Sequence, residues 1–228
     1  MGYGALSSAS TLQVLAGANL AAIQTPAGDW EILQFATATL IAPSTYNLTG
    51  LLRGQAGSDA TMANMVPVGQ PFVVLNNAIS QVPLSAAQTG LPLNWRYGPS
   101  SRSIGDATYA TSSHTFTAAG LRPLSPVRIK GQRAANGDLT VSWIRRTRIG
   151  GDSWDLPDVP LSEDAERYEA VIVSGQSVKR TIPTTQPTFT YTAADQTIDF
   201  GSPVNAITVR IAQVSGTYGR GAAATASV

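Results

Sequence analysis

One stretch of this sequence is committed to a strand: Asp138-Leu-Thr-Val-Ser-Trp-Ile144, followed by Arg145-Arg-Thr-Arg148. Leu139, Val141 and Trp143 alternate with Asp138, Thr140 and Ser142, the period-2 pattern of a strand buried on one face. Asn136-Gly137 just before it reads as a turn, because both residue types tolerate a positive φ. Trp143 is a large apolar body in mid-strand, where a β-sandwich core is anchored. The polar connection that follows, from Arg145 to Arg167, is too long for an ordinary hairpin loop, which implies a job or a fixed docking site.

The remaining composition fits short strands joined by turns. The 228 residues include 21 Gly and 14 Pro, and only 13% are charged. No apolar run is long enough to cross a bilayer, and no charged region followed by an apolar one stands at the start. With no cysteine, disulfides, thiolate nucleophiles and zinc–thiolate sites are excluded together. A net charge of +1 argues against a nucleic-acid-binding surface. The charge is unevenly spread. Residues 1–121 hold three cations and four anions, against 12 and 10 in residues 122–228. A charge-poor half suits either a Thr/Ser/Asn-rich polar surface or one covered by neighbouring protein in an assembly.

In chain order, Leu12–Leu15 and Leu20–Ile23 read as short strands. Asp29–Ala36 reads as a strand with a bulge, and Thr39–Ile41 and Thr45–Leu48 as strands split by Pro43. Leu51–Ser58 contains a polar turn flanked by Gly54 and Gly57, without the Gly-Lys-Ser/Thr ending of a phosphate loop. Residues 59–64 suit one helical turn capped by Ser58 or Asp59. Phe72–Leu75 is expected to be a buried strand, with further strands over Ile79–Leu84, Leu93–Tyr97 and Tyr109–Thr117. The Pro-containing junction Leu121–Pro126 marks a domain boundary, so that 1–121 is a charge-poor β-domain of uncertain topology. Seven strands are expected in residues 122–228, starting at Val127, Leu139, Tyr168, Val178, Thr188, Ile207 and Ala222. The class is all-β, and the second domain suits an immunoglobulin-like or fibronectin type III-like β-sandwich with a long loop over 145–167.

Specific motifs extend this reading. Tyr46-Asn-Leu-Thr-Gly-Leu-Leu-Arg-Gly-Gln-Ala-Gly57, Phe72-Val-Val-Leu75, Arg96-Tyr-Gly-Pro99, Leu121-Arg-Pro-Leu-Ser-Pro126, Ser142-Trp-Ile-Arg-Arg-Thr-Arg148 and Asp152-Ser-Trp-Asp155 occur in that order. Together they resemble the C-terminal region of the host-specificity or tail-tip hub protein of gene transfer agents and related tailed phages. The resemblance implies a virion protein of the distal tail, made in the bacterial cytoplasm. It implies as partners other tail-tip proteins and a host cell-surface polysaccharide or envelope protein, with a homotrimer in the intact tail. The TIM-barrel-like region of that family is absent, so nothing belonging to it carries over.

Chemistry-bearing residues are few. His114 is the only histidine, and neither a nucleophile elbow nor an orienting carboxylate accompanies it. Asp152, Asp155 and Asp158, with Glu163, Asp164 and Glu166, suit pairing with Arg145, Arg146, Arg148 and Arg167, which would order the long loop. Ligand or partner binding is the second reading and paired-carboxylate catalysis the third. Exposed surface pairs contribute about 0–1 kcal/mol each, so Trp154, Leu156, Val159 and Leu161 are expected to help hold the loop by packing. Aromatics that could stack sugar rings are Trp30, Trp95, Trp154, Tyr97, Tyr109 and Tyr218. Trp154 and Tyr218, with Arg148 as donor, are the candidate ligand or partner contacts, because they fall in loops at an end of the sandwich. No catalytic residue, metal site or cofactor is expected. The first functional reading is therefore a non-enzymatic structural and binding module of a tail tip. The alternatives are a carbohydrate-binding or adhesion module, and an enzyme acting on envelope glycan.

Overall fold

The computed structural model describes residues 4–62, 65–151, 155 and 157–228. With 42% strand and 10% helix, the class is all-β. The first part runs α1 (Thr11–Leu15), β1 (Leu20–Gln24), β2 (Trp30–Ala42), β3 (Thr45–Gln55) and β4 (Phe72–Val74). These strands form one antiparallel sheet in the order β3-β2-β1-β4. Its small core is Ala21, Leu33 and Phe35, with Leu6, Ile23, Ala38 and Leu48 packed against it.

Sequence and structure part company here in instructive ways. Leu12–Leu15 is helix, because Ser10 caps it: the hydroxyl accepts from the Gln13 N–H at 3.3 Å, and the Gln13 side chain accepts from Ser10 N at 2.8 Å. That reciprocal pair is a capping box, and it outweighs the apolar spacing. The expected bulge in β2 is present, with a register shift between Ile32 and Gln34. Glu31, Leu33, Gln34 and Phe35 are buried along the strand, while Trp30 is 40% exposed. β3 runs on to Gln55 and carries Arg53 alongside Glu31, and the turn expected between Gly54 and Gly57 follows at residues 56–58. Phe72–Val74 is a strand but stays partly exposed, and Ile79–Leu84 is not a strand.

Residues 76–119 form a compact unit of their own, and the described residues of Met1–Leu75 together with Gly120–Val228 form another. The smaller unit contains the two-stranded ribbon β5 (Pro92–Tyr97) and β6 (Ala110–Thr115).

The remaining strands are β7 (Val127–Arg133), β8 (Leu139–Ile144), β9 (Tyr168–Ser174), β10 (Ser177–Thr184), β11 (Thr188–Tyr191), β12 (Thr208–Ser215) and β13 (Gly219–Ser227). They form a three-stranded sheet, β11-β8-β7, and a four-stranded one, β10-β9-β12-β13. Leu139, Val141, Trp143, Phe189 and Tyr191 of the first share one core with Tyr168, Ala170, Ile172, Val209 and Ile211 of the second. This three-plus-four arrangement is a fibronectin type III-like sandwich. Trp143 packs into this core edge-on to Tyr168 at 5.1 Å and tilted against Phe189 at 6.1 Å.

Helix α2 (Ala193–Phe200) links the two sheets between β11 and β12 and was not visible in the strand pattern. Thr192 caps its start by accepting from Asp195 N at 3.0 Å, and Gly201 ends it at φ 86°. The helix docks on the Asn136-Gly137 turn. Ala193 N donates to Asp138 at 2.7 Å, and the fully buried Gln196 donates to the carbonyls of Gly137 and Tyr191. Asp199 accepts from Arg180 and from the Tyr191 hydroxyl, both at 2.6 Å, and the Arg180 guanidinium holds its carboxyl below the usual range.

The junction before β7 is tied to both sides. Arg146, just after β8, donates to Asp59 beyond β3, to Ser125 Oγ at 2.6 Å and to the Ser125 carbonyl at 2.7 Å. Ser125 Oγ also donates to Asp59 at 3.1 Å. On the other side, Ala222 N donates to Pro123 O at 3.3 Å. A Cβ on Gly221 would fall 2.3 Å from that backbone oxygen, so only glycine lets β13 come this close.

Two outcomes follow from this packing. Trp143→Ala removes the largest side chain of the sandwich core, which is 5% exposed. It should cost about 3–5 kcal/mol in denaturant unfolding, and a melting shift of a degree or two would remove Trp143 from the core. Because the sandwich core shares no residue with the Leu33–Phe35 cluster, residues 122–228 expressed alone should unfold cooperatively. A disordered circular dichroism spectrum for the fragment would show that the first sheet is needed to fold it.

Candidate functional site

The long connection after β8 begins as four residues with three arginines, Arg145-Arg146-Thr147-Arg148. A strand end alternates its side chains, which sends Arg146 toward Asp59 and leaves Arg145 for the loop itself. Arg145 donates to the Val159 carbonyl at 2.6 Å and pairs with Asp158 at 2.8 Å and Glu166 at 3.3 Å. Glu166 also accepts from the Tyr168 hydroxyl at 2.7 Å. Burial, with that carboxylate beside it, pushes the Tyr168 phenol far above its ordinary value. Thr147 and Ser162 share a hydroxyl–hydroxyl hydrogen bond of 2.6 Å.

Arg148 meets Glu163 at 2.6 Å, with side chains 12% and 4% exposed. Its guanidinium also lies over the Tyr218 ring, 5.6 Å from the centroid. Two sequence-derived candidates, Arg148 and Tyr218, are therefore in contact although 70 residues separate them in the chain. The guanidinium is turned inward: it donates to Glu163 and Ser162 O, and its Nε is buried without an acceptor. The half-buried Tyr218 covers it. Trp154, Asp152 and Leu156 lie outside the described residues.

The loop is also tied to the turn between β12 and β13. Asp164 accepts from Gly216 N at 3.0 Å and from Arg167. The Gly216 N–H, then Arg167, hold its carboxyl below the usual range. In the turn itself, Ser215 Oγ accepts from Thr217 N at 3.2 Å and Tyr218 N at 3.1 Å. A Cβ on Gly216 would sit 2.7 Å from Asp164 Oδ2, so the turn approaches the loop as closely as glycine allows. Next to this clasp, Arg167, Tyr168, Glu169, Thr181, Pro183 and Val214 help line an open groove of about 600 Å³. Arg220 braces its Glu169 at 2.6 Å.

Sequence reasoning paired the loop's carboxylates with its arginines. That holds for Arg145, Arg148 and Arg167, whereas Arg146 turns to Asp59. It missed the groove, because residues from β9, β10 and β12 meet there only in the sheet. It also missed the fully buried Glu31, which Arg53 grips through two hydrogen bonds of 2.8 and 2.6 Å. Its signal was a lone acid inside an apolar strand. His114 lies in β6 opposite Leu93 and is exposed. Among the described residues no group of three or more His, Asp or Glu side chains is placed to hold a metal ion. No described helix is long and apolar enough to cross a membrane.

One family model matches part of the chain. The family described as Rcc01698-like, C-terminal, matches residues 1–73, about a third of the sequence. Its name is associated with gene transfer agents. No curated protein matches. Among solved structures the chain is similar to FN3tt mut, at 21% identity and TM-score 0.33, over 47% of this chain and 94% of that one. It is similar to domains d3–d4 of the rat CD45 extracellular region, at 13% and 0.34, over 84% and 93%. It is also similar to the FN5 domain of Drosophila Lar, at 16% and 0.26, over 46% and 96%.

The clasp predicts unequal costs for its two best-placed side chains. Arg148→Ala leaves Glu163 buried without its cation and should cost roughly 3 kcal/mol. Tyr218→Ala removes one ring over a cation and should cost about 1 kcal/mol. Urea unfolding of both variants measures the difference, and equal costs would take Arg148 out of its anchoring place.

Proposed function

We propose that this chain is a structural and binding module of a phage-like tail tip, acting in distal tail assembly and in recognition of the host cell surface. The observation that carries the reading is the clasp of the 145–167 loop onto the turn between β12 and β13. A long polar loop normally pays a large ordering cost on meeting a partner. Here ion pairs and a close glycine contact preorganise it, so one end of the sandwich is ready to bind. The family match over residues 1–73 supports the tail assignment through its gene transfer agent association.

The charge-poor residues 1–121 suit contact with other tail-tip proteins, with three copies around the tail axis in the intact particle. The protein would be made in the bacterial cytoplasm and end in the virion's distal tail. Tyr218, braced by Arg148, and Trp154 are the proposed contacts to a host polysaccharide or envelope protein. The module binds without catalysing. Asp158, Glu163, Asp164 and Glu166 each face an arginine, an arrangement that suits ordering the loop better than moving protons.

The test is an epitope tag on this chain in the producing bacterium, followed by immunogold microscopy of purified particles. Label at the distal tail is expected, and particles free of the protein would overturn the tail assignment. Incubation with host envelope polysaccharide should release no new reducing ends. Release that disappears in Glu166→Gln would overturn the non-enzymatic reading.

A further inference from the structure

The compact unit of residues 76–119 carries a surface that the clasp does not use. In the β5–β6 ribbon, Leu93 faces His114, Trp95 faces Ser112 and Tyr97 faces Ala110. Directly opposed residues of an antiparallel pair project to the same side, so these six residues share one face. Phe116 extends it beyond the ladder, with its ring 5.8 Å from Trp95 and 4.6 Å from His114, edge-on to both. The result is a stripe of rings: Phe116 and His114, then Trp95, then Tyr97. Alternate residues of a strand are about 7 Å apart, which sets the spacing of Trp95 and Tyr97. Tyr97 is 59% exposed, while Trp95 is half-buried and its Nε1 has no acceptor. Trp95 is thus held by packing alone, with its neighbours Tyr97, His114 and Ser112 open to solvent.

From this arrangement we infer that the β5–β6 face is a carbohydrate platform for a neutral glycan. A sugar ring presents C–H groups on one face and hydroxyls around its rim. Rings at strand spacing meet the first, while Ser112 Oγ and the imidazole of His114 meet the second. The charge pattern selects the class of glycan. Residues 76–119 contain only Arg96, Arg102 and Asp106 as permanent charges, and the register puts Arg96 on the opposite face, beside Thr111. An acidic polysaccharide would find no cation on the stripe. Aromatic rings also mark protein interfaces, and a protein occupant of this face is the outcome read by the absence of binding to any glycan. The inference deepens the cell-surface part of the proposed function and rests on it, whereas the tail assignment is read separately by particle labelling.

The experiment takes the full chain to a printed array of neutral and acidic glycans, then to titration of the strongest neutral binder by tryptophan fluorescence. Tyr97 is exposed, so Tyr97→Ala should leave the melting temperature in place and weaken binding about tenfold. Tyr97→Phe should keep the affinity, and raising the salt concentration should not change it. Preference for acidic glycans, no binding to any neutral glycan, or equal affinity for Tyr97→Ala and the parent chain each overturn the platform. If labelled particles still carry the protein at the tail, such a failure removes the glycan site alone.

Discussion

A carboxylate taken out of water has to be met by a cation, and much of this protein is arranged around that requirement. Glu31 is fully buried in β2, so β3 continues far enough to bring Arg53 alongside it. Glu163 is nearly as deep, and Arg148 comes from the other end of the long loop to reach it. Asp199 on α2 is met by Arg180 from β10 and by the Tyr191 hydroxyl. Asp59 draws Arg146 and Ser125 across the junction between the first sheet and the sandwich. Such pairs contribute little net stability next to an apolar replacement, yet removing one partner is expensive. Their effect is therefore to make alternative placements of loop and junction costly.

The apolar core does the complementary work. Trp143, Tyr168 and Phe189 fill the space between the sheets with rings in edge and tilted contact. Trp143 is the last buried residue of β8, one residue before the strand ends at Ile144, and Tyr168 begins the next strand. The long loop is thus pinned at both roots by the largest side chains of the core. Between those roots, ion pairs of Arg145, Arg148 and Arg167 with loop carboxylates tie the loop to itself. The Asp164 contact to Gly216 and the stacking of Arg148 under Tyr218 join it to the turn at the same end of the sandwich.

The division of labour along the chain has a physical logic. The sandwich carries most of the charge, and its ion pairs gather at the loop end and over α2. Residues 76–119 carry almost none and expose aromatic and hydroxyl side chains instead. Charge held in pairs fixes the loop and the junction, whereas a nearly uncharged ribbon is held by packing.

The strand pattern from Val127 onward was legible in the sequence because a half-buried strand must alternate. Leu139, Val141 and Trp143 face the core for that reason, and the turn at Asn136-Gly137 follows from a positive φ at Gly137. The same logic misled at Leu12–Leu15, where a local capping box outweighs apolar spacing, and over Ile79–Leu84, where no ladder partner is present. The pairing of loop arginines with loop carboxylates was readable in kind, since unlike charges in one segment will find each other. Which arginine meets which acid was not, and Arg146 crosses to Asp59. Only the tertiary structure placed Tyr218 over Arg148 and put Trp95, Tyr97 and His114 on one face. Local periodicity says which way a side chain points from its own strand. What it meets there depends on registers and loop paths set by contacts tens of residues away.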